Sequence, residues 1–143
     1  MTQDKSIFYQ QYGNHCFQQT SDYSFECECN TGVPFNTAYL SYDGGKQFIS
    51  KAGKCSDGPS NPFQLIGSPD KKKIRPAWGH DCLYWAIRER LLPPSVKHLA
   101  DKMFKRHMIE DGVDIVEVEE YFLAVEGFGK YSLEGGNPIL EAP

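Results

Sequence analysis

Two adjacent prolines, Pro93 and Pro94, most constrain what this chain can fold into. They interrupt a stretch, from Trp78 to Met108, whose apolar residues otherwise recur at helical spacing. Proline lacks a backbone N–H and disfavours helical geometry in the residue before it, so a first helix must stop here. Ser95 then suits the N-cap of a second helix. The stretch therefore predicts a helical hairpin whose two members lie side by side.

The C-terminal half is predicted to consist of this hairpin and a third helix. We place the first helix at about 76–91, with Pro76 in its first turn. The second is predicted at about 95–110 and the third at about 115–126. The apolar positions expected to face the core are Trp78, Leu83, Tyr84, Ile87, Leu91, Leu99, Ala100, Met103, Phe104, Met108, Val118, Tyr121, Phe122 and Val125.

The N-terminal half carries strand signals. Residues 35–42 and 46–52 predict a hairpin turning at Asp43-Gly44-Gly45, and 6–9 and 23–27 are candidate strands. We expect one α+β domain over 1–143, with a small β-rich N-terminal part, a C-terminal helical hairpin and a third helix. Its parts are an N-terminal arm (1–30) suited to packing on another subunit, the hairpin and an Asp-Gly loop (31–63), the helical part (76–128) and a tail (129–143).

Charge and cysteine content bound the class of protein. The net charge of −4, with a single basic run from Lys71 to Arg75 interpreted as a solvated loop, disfavours nucleic acid as a partner. The polar N-terminus predicts no signal peptide, and no apolar run is long enough to span a membrane. Five cysteines, an odd number, predict an intracellular protein with reduced thiols. Cys27-Glu28-Cys29 lacks the second pair that a zinc site needs.

One histidine and two aspartates in the helical stretch suggest hydrolytic chemistry. His80 near the start of the first helix and Asp101 on the second can meet across the hairpin, giving a base and the carboxylate that orients it. Asp81 points elsewhere around the helix and can ligate a hard cation, with Asp57 of the loop as a second ligand. The alternative is that these residues form a buried hydrogen-bond network that only fixes the loop to the helices.

These residues, in their order along the chain, resemble two families. Asp57-Gly58-Pro59-Ser60-Asn61-Pro62, His80-Asp81-x-x-Tyr84 and Ala100-Asp101-x-x-Phe104 resemble an uncharacterised phage and prophage domain family, domain of unknown function 1353, over roughly residues 31–130. That resemblance implies a phage origin and no established activity. Residues 55–108 also resemble the prokaryotic and fungal type of secreted phospholipase A2, through the same aspartates, His80 and Tyr84 and through Asn61-Pro62-Phe63, Phe104 and Met108.

The phospholipase resemblance implies a role for each matching residue. His80 would be the general base, Asp101 would orient it and Tyr84 would steady the pair. Asp81 and Asp57 would hold Ca²⁺ as a cofactor. We therefore expect a phage accessory or virion protein with a phospholipase A2-like hydrolase site, located in the virion or the host cytoplasm.

The expected partners follow from the same hypothesis. They are a phospholipid or cell-envelope substrate, and virion or tail proteins or further copies of this chain. The alternative hypothesis is a non-catalytic phage structural, tail or interaction protein in which His80, Asp81, Asp101 and Asp57 form the structural network.

Overall fold

A computed structural model of the chain describes residues 6–12, 16–53, 55–56 and 71–128. Within them the fold is α+β, as predicted, because short antiparallel strands precede three helices. The strands are β1 (Tyr9–Tyr12), β2 (Cys16–Gln19), β3 (Tyr23–Glu26), β4 (Phe35–Asn36), β5 (Leu40–Tyr42), β6 (Gln47–Ser50) and β7 (Cys55–Ser56). The helices are α1 (Lys71–Arg88), α2 (Lys97–Glu110) and α3 (Ile115–Phe128). Asp57, the rest of its loop and the predicted tail lie outside the described residues.

A four-stranded antiparallel sheet, in the order β3-β6-β5-β4, supplies one wall of the core. Alternate residues of β3 point inward, so Tyr23 and Phe25 are fully buried. Phe25 stacks on Phe48 of β6 at a centroid distance of 5.3 Å. β3 thus belongs to the core, which differs from the arm expected over residues 1–30. Its aromatic residues are buried because they pair across to β6 from Tyr23↔Ser50 onwards.

A second sheet, in the order β1-β2-β7, is joined to the first by a buried polar network. Gln19 at the end of β2 donates to the Ser50 carbonyl oxygen at 2.7 Å. Its side-chain oxygen accepts from Ser50 Oγ at 2.6 Å and from Trp78 Nε1 at 3.0 Å. These bonds satisfy polar groups that would otherwise be costly to bury. They also tie both sheets to α1.

The predicted hairpin is confirmed at its turn but not in its first strand. Gly44 has a φ of 90°, and Asp43 Oδ1 accepts from the backbone of Gly45 at 2.7 Å, which closes the turn between β5 and β6. The single strand expected over 35–42 is instead two strands, β4 and β5, that pair with each other. Thr37 causes the reversal, because its hydroxyl accepts from Leu40 N at 3.0 Å while its own N–H donates to Leu40 O at 2.9 Å.

The basic run, predicted as a solvated loop, is instead the first turn of α1. The helix begins at Lys71, so Pro76 lies inside it and not in its first turn. Lys73 pairs with Glu117 of α3 at 3.1 Å, and Arg75, 3% exposed, reaches Glu110 at 2.7 Å. These ion pairs hold the turn in place, and they were not predicted because they join residues far apart in sequence.

The link between α1 and α2 differs in detail from the prediction. Helix α1 ends at Arg88, three residues earlier than expected, with Arg90 in the left-handed conformation (φ 62°). The Leu91 N–H then reaches back to Ala86 O at 2.8 Å, as in a Schellman motif. Ser95 does not cap α2, because it lies within a 3₁₀ turn (Pro94–Val96) that precedes the helix.

The helices pack through the apolar faces that the sequence predicts. Trp78, Leu83, Met103, Met108 and Val118 are each at most 2% exposed. Helix α2 ends at Glu110 and α3 begins at Ile115, both as predicted, with Gly112 at a φ of 84° between them. Among the described residues, no helix is both long enough and apolar enough to cross a membrane.

We expect Arg75→Met to lower the free energy of unfolding by about 2–3 kcal/mol, because it removes a buried cation that pairs with two half-buried carboxylates. Besides Glu110, Arg75 Nε lies 3.2 Å from Asp111 Oδ2. Lys71→Met, at an exposed position of the same turn, is the matched control and should stay within about 0.5 kcal/mol of the parent. Equal urea midpoints for the two variants would contradict the role given to the buried pair.

His107 on α2 is fully buried, and neither ring nitrogen has a hydrogen-bond partner among the described residues. Burial, with the nearby charges of Arg75 and Arg106, lowers the pKa of His107 to about 3. The unfolded chain therefore binds a proton at this residue that the folded chain does not, between about pH 6.5 and pH 3. The titration of His107 therefore leaves the free energy of unfolding unchanged above this window and lowers it as the pH falls through the window.

We predict that His107→Leu is neutral or stabilising at neutral pH, because it removes two unpaired buried nitrogens. The parent should lose unfolding free energy on the order of 4 kcal/mol through His107 as the pH falls from about 6.5 to about 3, and the variant should not. Urea unfolding across that range, with the exposed His98→Leu as control, measures both effects. An unchanged slope in the His107 variant would show that other groups cause the acid loss.

Candidate functional site

The helical hairpin brings His80 and Asp101 together, as predicted. His80 lies in the middle of α1 and Asp101 in the second turn of α2, and His80 Nε2 is 2.7 Å from Asp101 Oδ1. Asp101 is fully buried and His80 is 6% exposed. The packing of the two helices therefore sets the distance between the ring and the carboxylate.

Asp101 accepts hydrogen bonds from three side chains. Tyr84, one turn after His80, donates its hydroxyl to the same Oδ1 at 2.6 Å, and Lys97 Nζ donates to Oδ2 at 2.7 Å. Burial alone would raise the pKa of Asp101, but the hydrogen bonds from His80, Lys97 and Tyr84 outweigh it and hold the pKa below its usual range. Asp101 is therefore an ionised carboxylate in a dry setting. Burial, and then the bond to Asp101, raise the pKa of Tyr84, so its hydroxyl stays a donor.

Lys97 is the site residue that the sequence analysis missed. Its side chain is only 16% exposed, and it also donates to the Val125 carbonyl oxygen of α3 at 3.0 Å. The spacing of Lys97 and Asp101, four residues apart on a helix, is the signal that predicts such a pair. Lys97 thereby joins the carboxylate on α2 to the third helix.

Aromatic rings enclose His80 on two sides. The Tyr84 ring lies 4.1 Å from the imidazole, centroid to centroid, and the Phe104 ring lies at 4.8 Å. Because Nε2 faces Asp101, a proton exchanged between His80 and water or a substrate would have to pass through Nδ1. Phe104 in turn belongs to a cluster at the α2–α3 interface, so the imidazole cannot rotate freely.

Only one of the two predicted calcium ligands lies among the described residues. Asp81 is partly exposed and lies on α1 directly after His80, whereas Asp57 lies outside the described residues. Among the residues that the structure describes, no three His, Cys, Asp or Glu side chains are grouped to hold a metal ion. A carboxylate suits Ca²⁺, but a calcium site takes six to eight oxygen ligands, so Asp81 alone does not make one.

Other candidate residues lie apart from His80 and Asp101. Cys82 is fully buried in the main core cluster. His98 is exposed and pairs with Glu126 of α3 at 2.7 Å. That contact could not be predicted, because it joins α2 to a helix more than a dozen residues away in sequence.

No family model, curated protein or solved structure matches the chain. Both family resemblances therefore stay predictions that rest on the motif residues.

We predict that Asp101→Asn lowers the free energy of unfolding by about 3–5 kcal/mol at neutral pH, because it leaves the Lys97 charge without its buried partner. The folded pKa of Asp101 is depressed, so its contribution is present above the unfolded value of about 3.9 and is lost as the pH falls through the folded pKa. The difference between parent and variant should accordingly shrink below about pH 4.

Urea unfolding at neutral and acid pH measures this difference. Glu120→Gln, which removes one exposed carboxylate, is the control and should change little at either pH. An Asp101→Asn variant as stable as the parent at neutral pH would contradict the assignment of an ionised, hydrogen-bonded carboxylate.

Proposed function

We propose that this protein is a hydrolase with a site of the phospholipase A2 type, in which His80 deprotonates a water molecule. The observation that carries the proposal is the 2.7 Å contact between His80 Nε2 and the buried Asp101. A histidine held by a carboxylate that is itself fixed by other donors is the base and orienter of hydrolytic sites.

In the proposed mechanism, His80 carries out both proton transfers. Asp101 accepts from the Nε2–H of His80, which leaves the lone pair on Nδ1 to take a proton from water. The resulting hydroxide attacks the ester carbonyl carbon, and the imidazolium that forms is stabilised by the Asp101 carboxylate. When the tetrahedral species collapses, Nδ1 returns the proton to the leaving alkoxide. Tyr84 and Lys97 keep Asp101 in place and do not touch the reacting atoms.

Calcium would supply the electrophile if the phospholipase resemblance holds. Bound Ca²⁺ polarises an ester carbonyl and neutralises the oxyanion. Asp81 would serve as one ligand of the ion, and Asp57 is the second ligand that the resemblance predicts. The substrate class follows from the same proposal, as a phospholipid or another ester of the cell envelope. A phage accessory or virion protein would meet such a substrate at the host surface.

A structural role is the second candidate, because of how completely Asp101 is satisfied. Both of its oxygens are occupied by donors from three side chains, and the Lys97 ammonium already balances its charge. A catalytic histidine–aspartate pair works best when no other cation neutralises the carboxylate, because its charge then stabilises the imidazolium. In this alternative the network fixes the three helices to one another, as in a phage structural or tail protein, and no water is activated.

The test is ester hydrolysis by the purified protein on mixed phospholipid–detergent micelles, with and without Ca²⁺. We expect release of fatty acid that falls by about 10²–10⁴-fold in His80→Asn, because the base is lost. His98→Asn is the matched control, since His98 also lies 2.7 Å from a carboxylate but is exposed. Calorimetry with Ca²⁺, comparing the parent with Asp81→Asn, tests the cation separately.

Two results separate the candidates. Hydrolysis that disappears in His80→Asn and persists in His98→Asn supports the hydrolase. If the parent releases no more fatty acid than its His80→Asn variant under any of these conditions, the hydrolase proposal is wrong. The structural candidate is then tested by whether the protein fractionates with virions.

A further inference from the structure

The chain forms a bulge directly after β3, beyond the C-terminal end of that strand. The Cys27 N–H donates to Lys46 O at 2.9 Å, and the Asn30 N–H donates to Gly45 O at 2.8 Å. Cys27 and Asn30, three residues apart, thus bond to the carbonyls of two consecutive residues on the opposite segment. The two residues between them have no counterpart on that segment, as in a β-bulge. Asn30 itself is left-handed, with a φ of 47°.

This bulge places two cysteines in one tight turn. Side chains two apart in a regular strand share a face, with Cα atoms roughly 6.6 Å apart, near the upper limit that a disulfide spans. Here the Cys29 N–H donates to Cys27 O at 2.7 Å, which closes a tight turn and shortens that separation. Both cysteines are free.

The two thiols differ in exposure and ionisation. Cys27 is 3% exposed and Cys29 is partly exposed. The neighbouring Cys29 thiol and the charge of Arg106 lower the pKa of Cys27 against the effect of burial, whereas the neighbouring Cys27 thiol and burial raise the pKa of Cys29. Arg106 is held beside them by its 2.9 Å hydrogen bond to the Glu26 carbonyl oxygen. The two thiols therefore titrate as one coupled pair, in which Cys27 is the easier of the two to ionise.

We propose that Cys27 and Cys29 form a thiol–disulfide exchange site for low-molecular-weight disulfides. Cys29, the more exposed of the two, passes its proton to the Cys27 thiolate and attacks one sulfur of the substrate, whose S–S bond breaks and releases a thiolate. That thiolate takes the proton from Cys27. Cys27 then attacks Cys29 Sγ, which forms the protein disulfide and releases the second thiolate. The protein pair loses two electrons, and the substrate disulfide is reduced to two thiols.

The experiment uses the full chain with Cys16→Ser and Cys55→Ser, equilibrated with glutathione and glutathione disulfide at increasing oxidised fraction. Remaining thiols are alkylated after unfolding and counted by intact mass, with Cys82 as an internal reference because it is fully buried. We expect the two thiols of the pair to disappear together, with no glutathione retained. Cys27→Ser in this background should retain one glutathione on Cys29.

Cys29→Ser keeps the test decisive if the Cys27 variant does not fold, because Cys29 is the more exposed of the two. In that variant we expect Cys27 to react at least tenfold more slowly than the pair, since the attacking thiol is gone. Glutathione retained on Cys29 while Cys27 is present would overturn the proposal. So would two thiols that stay alkylatable at every oxidised fraction, or a Cys29→Ser variant that reacts as fast as the pair.

Discussion

The buried carboxylate of Asp101 is the constraint on which the helical part depends. An ionised carboxylate without partners would cost several kcal/mol at a fully buried position. Its three donors come from α1 and α2, and one of them, Lys97, also bonds a carbonyl of α3. All three helices must therefore pack in this arrangement for the Asp101 carboxylate to keep its hydrogen bonds and its counter-charge. Apolar contacts supply most of the stability of this packing, whereas Asp101 specifies its geometry.

The same network sets the chemistry that His80 can perform. It fixes Nε2 of the ring against a carboxylate and leaves Nδ1 as the nitrogen for water, which is what a general base requires. Lys97 works in the opposite direction, because a cation on Asp101 weakens the stabilisation of an imidazolium. A hydrolase built on this site gains a rigid base and loses part of the driving force for proton transfer. The structural alternative rests on the same contact, because the Lys97 ammonium already balances the charge of Asp101.

Local patterns predicted the elements of the fold well where one interaction decides them. The proline pair marked the helical hairpin, Asp43-Gly44-Gly45 marked a turn, and the spacing of apolar residues marked the buried faces of all three helices. The meeting of His80 and Asp101 followed from the hairpin itself. Tyr84 lies with them because it is one helical turn after His80.

The errors arose where distant contacts override local signals. A run of four basic residues reads as a loop in isolation, but Arg75 and Lys73 are ion-paired to α2 and α3, and those pairs extend α1 past an internal proline. Thr37 reverses the chain inside an apparently continuous strand through bonds made by its own hydroxyl. Lys97 is an exception, because its four-residue spacing from Asp101 is itself a local signal of an ion pair. The calcium hypothesis depends on Asp57, and the described residues do not reach it.

The protonation state of the His80 ring tests the central claim most directly. Nitrogen-15 NMR of the parent at neutral pH, assigned by comparison with His80→Asn, distinguishes the two neutral tautomers and the imidazolium. We predict that the neutral ring carries its proton on Nε2, toward Asp101, and has a bare Nδ1, the form that can accept a proton from water. A neutral ring with its proton on Nδ1 would contradict the general-base assignment and favour the structural network.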